Sequence, residues 1–136
     1  MKYKVEENKI IIEKNEDFDI KSILECGQMF RYFKTTNGYR VITGKYIAEI
    51  EDSGSLVVIK TETPEIFIEF FDLNTDYSKI KEELSKFEIL KKAISFGKGI
   101  RIAKGEPEEI IFQFIISQNN NIKRIQKIIE TMSEFL

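Results

Sequence analysis

Residues Gln28 to Thr61 read "QMFRYFKTTNGYRVITGKYIAEIEDSGSLVVIKT". Met29, Arg31 and Phe33 alternate with Phe30, Tyr32 and Lys34, the period of a strand with two unlike faces. "TNGY" is a hairpin signal, and Asn37-Gly38 predicts a type I′ turn. Val41 and Ile42, then Ile47 and Ile50 around Ala48, continue the strand pattern. "DSGS" predicts a second turn and "LVVIK" the next strand. Successive antiparallel strands of this kind form a meander, so the chain is built on an antiparallel sheet.

Helices are predicted on both sides of the meander. Upstream, "KIIIEK" (Lys9 to Lys14) reads as a further strand. In "NEDFDIKSILECG", Asp19 caps a short helix with Ile20, Ile23 and Leu24 on one face, and Gly27 fits its C-terminal end. Downstream, Pro64 opens the helix "PEIFIEFFDL" at its favoured first position. Asp76 or Ser78 caps the next, with Ile80, Leu84 and Phe87 in a stripe. "EILKKAISFGKG" is closed by Gly97 and Gly99. After a short extended piece, Pro107 starts a helix with Glu108 and Glu109 in its first turn, where the helix dipole favours negative charge. It is nearly all apolar from Ile110 to Ile116, which predicts deep burial. "NIKRIQKIIETMSEFL" is a last amphipathic helix, with Ile122, Ile125, Ile129 and Met132 on one face and an apolar end without a cap. The fold class is α+β.

Composition narrows the chemistry. The chain has 136 residues, 42% of them hydrophobic and 32% charged, as in ordinary globular proteins. It has no histidine, which removes Ser-His-Asp and Cys-His catalysis and histidine metal ligands. The single cysteine, Cys26, excludes an intramolecular disulfide and a structural zinc site and points to the cytoplasm. It reads as a small, buried, inert residue. No metal or cofactor is expected. No run approaches the roughly 20 apolar residues of a membrane span, and "MKYKVEENK" is no signal peptide. The net charge of −2 gives no global attraction to nucleic acid, so any DNA-binding face must be local.

One stretch stands out, "SQNNNIKR" from Ser117 to Arg124. Asparagine tolerates left-handed backbone and makes Asx turns, so the triplet could simply join two helices. Alternatively, amide side chains carry donors and acceptors that can read base edges or phosphates. Lys123, Arg124 and Lys127 follow at the start of the last helix, where basic side chains and exposed N–H groups would make an anion-binding patch. Arg124 could present a planar fork to a base edge.

"FDIKSILECGQMFRYF", "GYRVITGKYIAEIE", "FFDLNTDYSKI" and "GIRIAKGEPEEIIFQFIISQNNNIKRI" together resemble the 8-oxoguanine DNA glycosylase/AP lyase family of the helix-hairpin-helix superfamily. The resemblance runs from Asp17 to Ile129. It implies an N-terminal antiparallel sheet with helices, similar to half of a TATA-binding protein, over 1–99, and the first helices of an all-α domain over 100–136. It also implies roles. The Gly27 carbonyl would accept the N7 hydrogen that 8-oxoguanine has and guanine lacks. Asn119 would fill the gap left by the flipped base and touch the orphaned cytosine. Asn120 would lie near the flipped nucleotide, and Arg124 would hydrogen-bond the cytosine. Apart from the resemblance, Lys123 and Lys127 are basic neighbours of that turn and are expected to contact phosphates.

The family's nucleophilic lysine follows a Gly/Pro-rich hairpin, and an aspartate lies further on; neither segment occurs in these residues. No catalytic residue is therefore assigned. The expectation is an N-terminal part of a longer enzyme that excises 8-oxoguanine opposite cytosine. The 136 residues alone are expected to be inactive and monomeric, with weak preference for lesion-containing double-stranded DNA. A free-standing, non-catalytic DNA-binding or protein-interaction module is the rival reading; a small-molecule-binding domain is a third.

Overall fold

The computed structural model describes residues 1–134; Phe135 and Leu136, the apolar end of the sequence, lie outside the described residues. The elements run β1 (Tyr3–Glu6), β2 (Lys9–Glu13), α1 (Ile20–Glu25), β3 (Tyr32–Thr35), β4 (Gly38–Thr43), β5 (Tyr46–Asp52), β6 (Leu56–Lys60), α2 (Pro64–Phe70), α3 (Tyr77–Leu84), α4 (Glu88–Phe96), α5 (Pro107–Ser117) and α6 (Ile122–Ser133). The sheet is six-stranded and antiparallel, in the order β1-β2-β6-β5-β4-β3. The meander is therefore β3 to β6, and the N-terminal hairpin joins it by pairing β2 with β6, Ile10 opposite Ile59.

Alternation decides which face is covered. Ile10, Ile12, Val41, Ala48, Ile50, Val57 and Ile59 are buried on one face of the sheet. Ile20, Ile23 and Leu24 of α1 and Phe67, Phe70 and Phe71 of α2 and its cap pack against them. Phe71 meets Phe18 and Phe70 edge-on, at centroid distances of 6.0 and 4.8 Å. Asp19 does cap α1, accepting from Ser22 N at 2.7 Å, and Asp76 rather than Ser78 caps α3.

The structure corrects five expectations. β3 and β4 pair Thr35 with Gly38, so the turn is Thr36-Asn37, and neither Asn37 nor Gly38 takes a positive φ. No type I′ turn forms at Asn37-Gly38. Gly38 serves close approach instead, since a Cβ there would overlap the Ile50 carbonyl oxygen. Strand β3 starts at Tyr32, not Met29; Met29 and Phe30 are both buried, in two different apolar clusters. Cys26 is exposed. Helix α5 is not deeply buried: Ile111, Phe114 and Ile115 are 58%, 68% and 61% exposed, and its one buried residue is Gln113. Likewise α3 and α4 bury no residue, so the Ile80, Leu84 and Phe87 stripe faces outward.

A polar knot joins the helices to the segment after α4. Asp72 accepts from Thr75 Oγ1 (2.7 Å), Tyr77 Oη (3.0 Å) and Lys104 Nζ (2.7 Å). Burial raises its pKa, but the bonds from Lys104, Thr75 and Tyr77 outweigh that and hold it below the ordinary carboxylate value. Asp17 is held low in the same way by Lys81 and Ser78 against the effect of burial. A depressed folded pKa means the unfolded chain binds more protons. The stabilisation is thus complete above about pH 4 and fades as pH falls through the folded pKa values. Urea midpoints measured from pH 6 to pH 2 should fall less steeply for Asp72→Asn than for the unsubstituted chain. Parallel curves would show that Asp72 does not carry this linkage.

Candidate nucleic-acid interface

Gly27 follows the αR cap Cys26 of α1 and takes φ +87°, a left-handed conformation that side chains rarely adopt. Nothing lies within 4 Å of where its Cβ would be. Its carbonyl accepts no hydrogen bond from the described residues. The next residue is fixed: Gln28 Nε2 donates to Ile23 O at 3.0 Å and to Arg101 O at 2.8 Å, while its Oε1 accepts from Ala103 N at 2.9 Å. An acceptor at the tip of a turn is thus exposed and its base is clamped.

The asparagines divide into two kinds. Asn121 is the N-cap of α6 and accepts from Arg124 N at 3.1 Å. Asn120 Nδ2 donates to Ile116 O at 3.0 Å, and its Oδ1 accepts from Asn121 N at 2.9 Å. These two close the turn. Asn119 stands at φ +49°, exposed, with no side-chain hydrogen bond to the described residues. Joining the two helices thus accounts for the side chains of Asn120 and Asn121 and for the left-handed backbone of Asn119, and leaves the Asn119 side chain alone without a structural task among the described residues.

Beyond the turn, Lys123, Arg124 and Lys127 are exposed on α6, and none of them forms an ion pair among the described residues. Lys123 and Lys127, with Glu130 on the same helix and Glu134 at its C-cap, border a groove of about 660 Å³ whose other wall includes the buried Phe30 and, at the sheet edge, Tyr32 and Phe33. The groove thus sets two cations and two carboxylates opposite the aromatic sheet edge. Among the described residues no three His, Cys, Asp or Glu side chains gather as a metal site, and no helix is long and apolar enough to cross a membrane.

The Gly27 turn and the asparagine turn belong to different elements, and two contacts connect them. Phe30 packs on Ile125 and Ile129 of α6, with Ile116 of α5 alongside. Gln113, inside α5, accepts from Phe30 N at 3.0 Å and donates to Glu109 at 2.8 Å. Glu109 in turn accepts from Gly44 N at 2.6 Å and pairs with Arg31 at 3.5 Å. Periodicity gave no hint of Gln28 or Arg101. A lone amide in the apolar run "IIFQFIIS" was the available signal for Gln113, because a buried amide needs partners.

Comparison with known proteins agrees with this geometry. The family described as 8-oxoguanine DNA glycosylase, N-terminal domain, matches residues 9–111. The Clostridium acetobutylicum 8-oxoguanine glycosylase/lyase, solved in its apo-form, is 40% identical, with a TM-score of 0.79 over 92% of this chain and 46% of its own. Its structure with double-stranded DNA containing cytosine opposite 8-oxoguanine gives 39% identity and a TM-score of 0.80, over 93% of this chain and 46% of that one. MBOgg1, solved with a low-affinity DNA ligand, is 39% identical, with a TM-score of 0.81 over 93% of this chain and 46% of its own. The chain therefore spans about half the length of the solved relatives it matches. No curated protein sequence matches it. With this fold, over three-quarters of its residues inside the family's span and this identity to solved members, the chain belongs to the 8-oxoguanine DNA glycosylase N-terminal domain family.

Proposed function

We propose that the chain is the N-terminal region, a sheet domain over 1–99 and the start of a helical domain from 100, of a DNA repair glycosylase. The intact enzyme recognises 8-oxoguanine opposite cytosine by base flipping, excises it and cleaves the strand as an AP lyase. The observation that carries this reading is the open Gly27 carbonyl on a clamped left-handed turn. 8-oxoguanine bears a hydrogen on N7; guanine presents a lone pair there. A fixed carbonyl attracts the first and repels the second, a difference of about 1–3 kcal/mol when the contact is dry.

Flipping leaves a gap and an unpaired cytosine, at a cost of a few kcal/mol. Asn119 projects from a turn whose other two asparagines are committed to its shape, so it can enter the gap without reorganising. Asn120 shapes that turn beside the flipped nucleotide. Arg124 offers planar donors to the acceptor edge of cytosine. Lys123 and Lys127 meet phosphates and supply the affinity that depends on salt.

Asn119→Ala in the intact protein should weaken binding to a duplex with 8-oxoguanine opposite cytosine by about tenfold or more, and binding to undamaged duplex by less than twofold. Equal losses on both duplexes would remove Asn119 from the flipped state.

A further inference from the structure

The selectivity of an acceptor depends on its being unable to turn away. A peptide that can rotate relieves its repulsion against a guanine lone pair and reads nothing. The Gly27 turn has no packing of its own on the side of the missing Cβ, so its orientation must come from a neighbour. We propose that Gln28 is a positioning residue for lesion selectivity, tying the Gly27 peptide to the 101–103 segment so that the carbonyl cannot rotate. This rests on the reading that Gly27 accepts the N7 hydrogen.

Three hydrogen bonds hold the Gln28 amide: two donated, to Ile23 O at the end of α1 and to Arg101 O, and one accepted from Ala103 N. The far side of the clamp is itself immobile. Arg101 is 1% exposed and its guanidinium donates to four backbone carbonyls, those of Asp17, Phe71, Asp72 and Thr75. Between the two Gln28 contacts, Ile102 N donates to Tyr77 Oη at 2.9 Å. Three successive residues therefore each have a backbone group held by a side chain. Strain-free motion of the Gly27–Gln28 peptide would require breaking the Gln28 bonds, because the segment they grip does not follow.

The test is Gln28→Met in the intact protein, a side chain of similar length that keeps the packing and loses all three bonds. Dissociation constants are measured at one salt concentration for duplexes with 8-oxoguanine or guanine opposite cytosine. The ratio of the two should fall about tenfold, with affinity for the guanine duplex changed less than twofold. An unchanged ratio, or equal losses on both duplexes, overturns the positioning role. If Gln28→Met does not fold, Tyr77→Phe decides: it removes the oxygen that accepts Ile102 N and should lower the ratio about threefold on the same terms. An unsubstituted protein with no preference between the two duplexes overturns the Gly27 reading and this inference with it. Preference kept by the variants overturns the inference alone.

Discussion

Arg101→Met is expected to destabilise the fold by about 3–5 kcal/mol, the range for removing a buried charge that others depend on. The arginine lies at 1% exposure. Its Nε donates to Phe71 O at 3.1 Å, one terminal nitrogen to Asp17 O at 3.0 Å, and the other to Asp72 O at 2.6 Å and Thr75 O at 2.7 Å. The guanidinium carbon sits 4.0 Å from the centre of the Tyr77 ring. Methionine fills the volume of the stem but leaves the Asp17, Phe71 and Thr75 carbonyls without a donor and the Asp72 carbonyl with Thr75 N alone, while the Asp17 and Asp72 carboxylates keep Lys81 and Lys104. Arg101→Lys restores the charge and not the fork, so it should recover only part of the loss. Urea unfolding reads the effect as a lower midpoint at constant slope. A loss below about 1 kcal/mol would mean that water replaces the guanidinium at these carbonyls.

Ile125→Asp is expected to release the α5–α6 hairpin while the sheet stays folded. The hairpin is held to the sheet domain by few apolar contacts: Ile125 and Ile129 on Phe30, with Ile116 alongside. Ile125 is 3% exposed. A carboxylate there would be desolvated without a partner, at a cost of about 3 kcal/mol or more. Few other apolar contacts are available to compensate, because most of the apolar residues of α5 face outward. Hydrogen exchange should show amides from Glu108 to Ser133 losing protection and those of β4 and β5 keeping it. Loss of protection across the whole sheet would show instead that hairpin and sheet unfold as one unit.

The sheet was readable because its residues repeat a pattern that only one arrangement satisfies. Ile10 and Ile12, or Val57 and Ile59, point one way, and burial on a single face follows. Strand β1 escaped because "YKVE" offers one half-buried tyrosine and no alternation. Its place comes from pairing with β2, a long-range fact. The Asn37-Gly38 turn was misread because glycine has two uses, positive φ and close approach, and the local sequence does not separate them. Helix α5 was misread for a related reason. Apolarity states that a surface avoids water and says nothing of what covers it, so Phe114 can be apolar and 68% exposed. Of the site, Gly27 and the asparagines were visible as unusual residues. The division of labour within the triplet was not, since three identical side chains differ only in backbone angle and partner. Gln28 and Arg101 act across more than 70 residues and 26 to 84 residues of sequence respectively, and no local pattern records such partners.

The pairing of β2 with β6 sets an order of events at the ribosome. The first hairpin emerges with Ile10 and Ile12 bare and waits a few seconds for its partner strand to be synthesised. A lone hairpin is barely stable in water, and its open edge is a template for any other nascent chain. The charges that crowd it, Lys2, Lys4, Glu6, Glu7, Lys9, Glu13 and Lys14, flank the apolar run on both sides. On the finished surface most of them have little to do. Their effect falls earlier, as gatekeepers that keep the nascent segment dispersed until β6 arrives to pair its open edge.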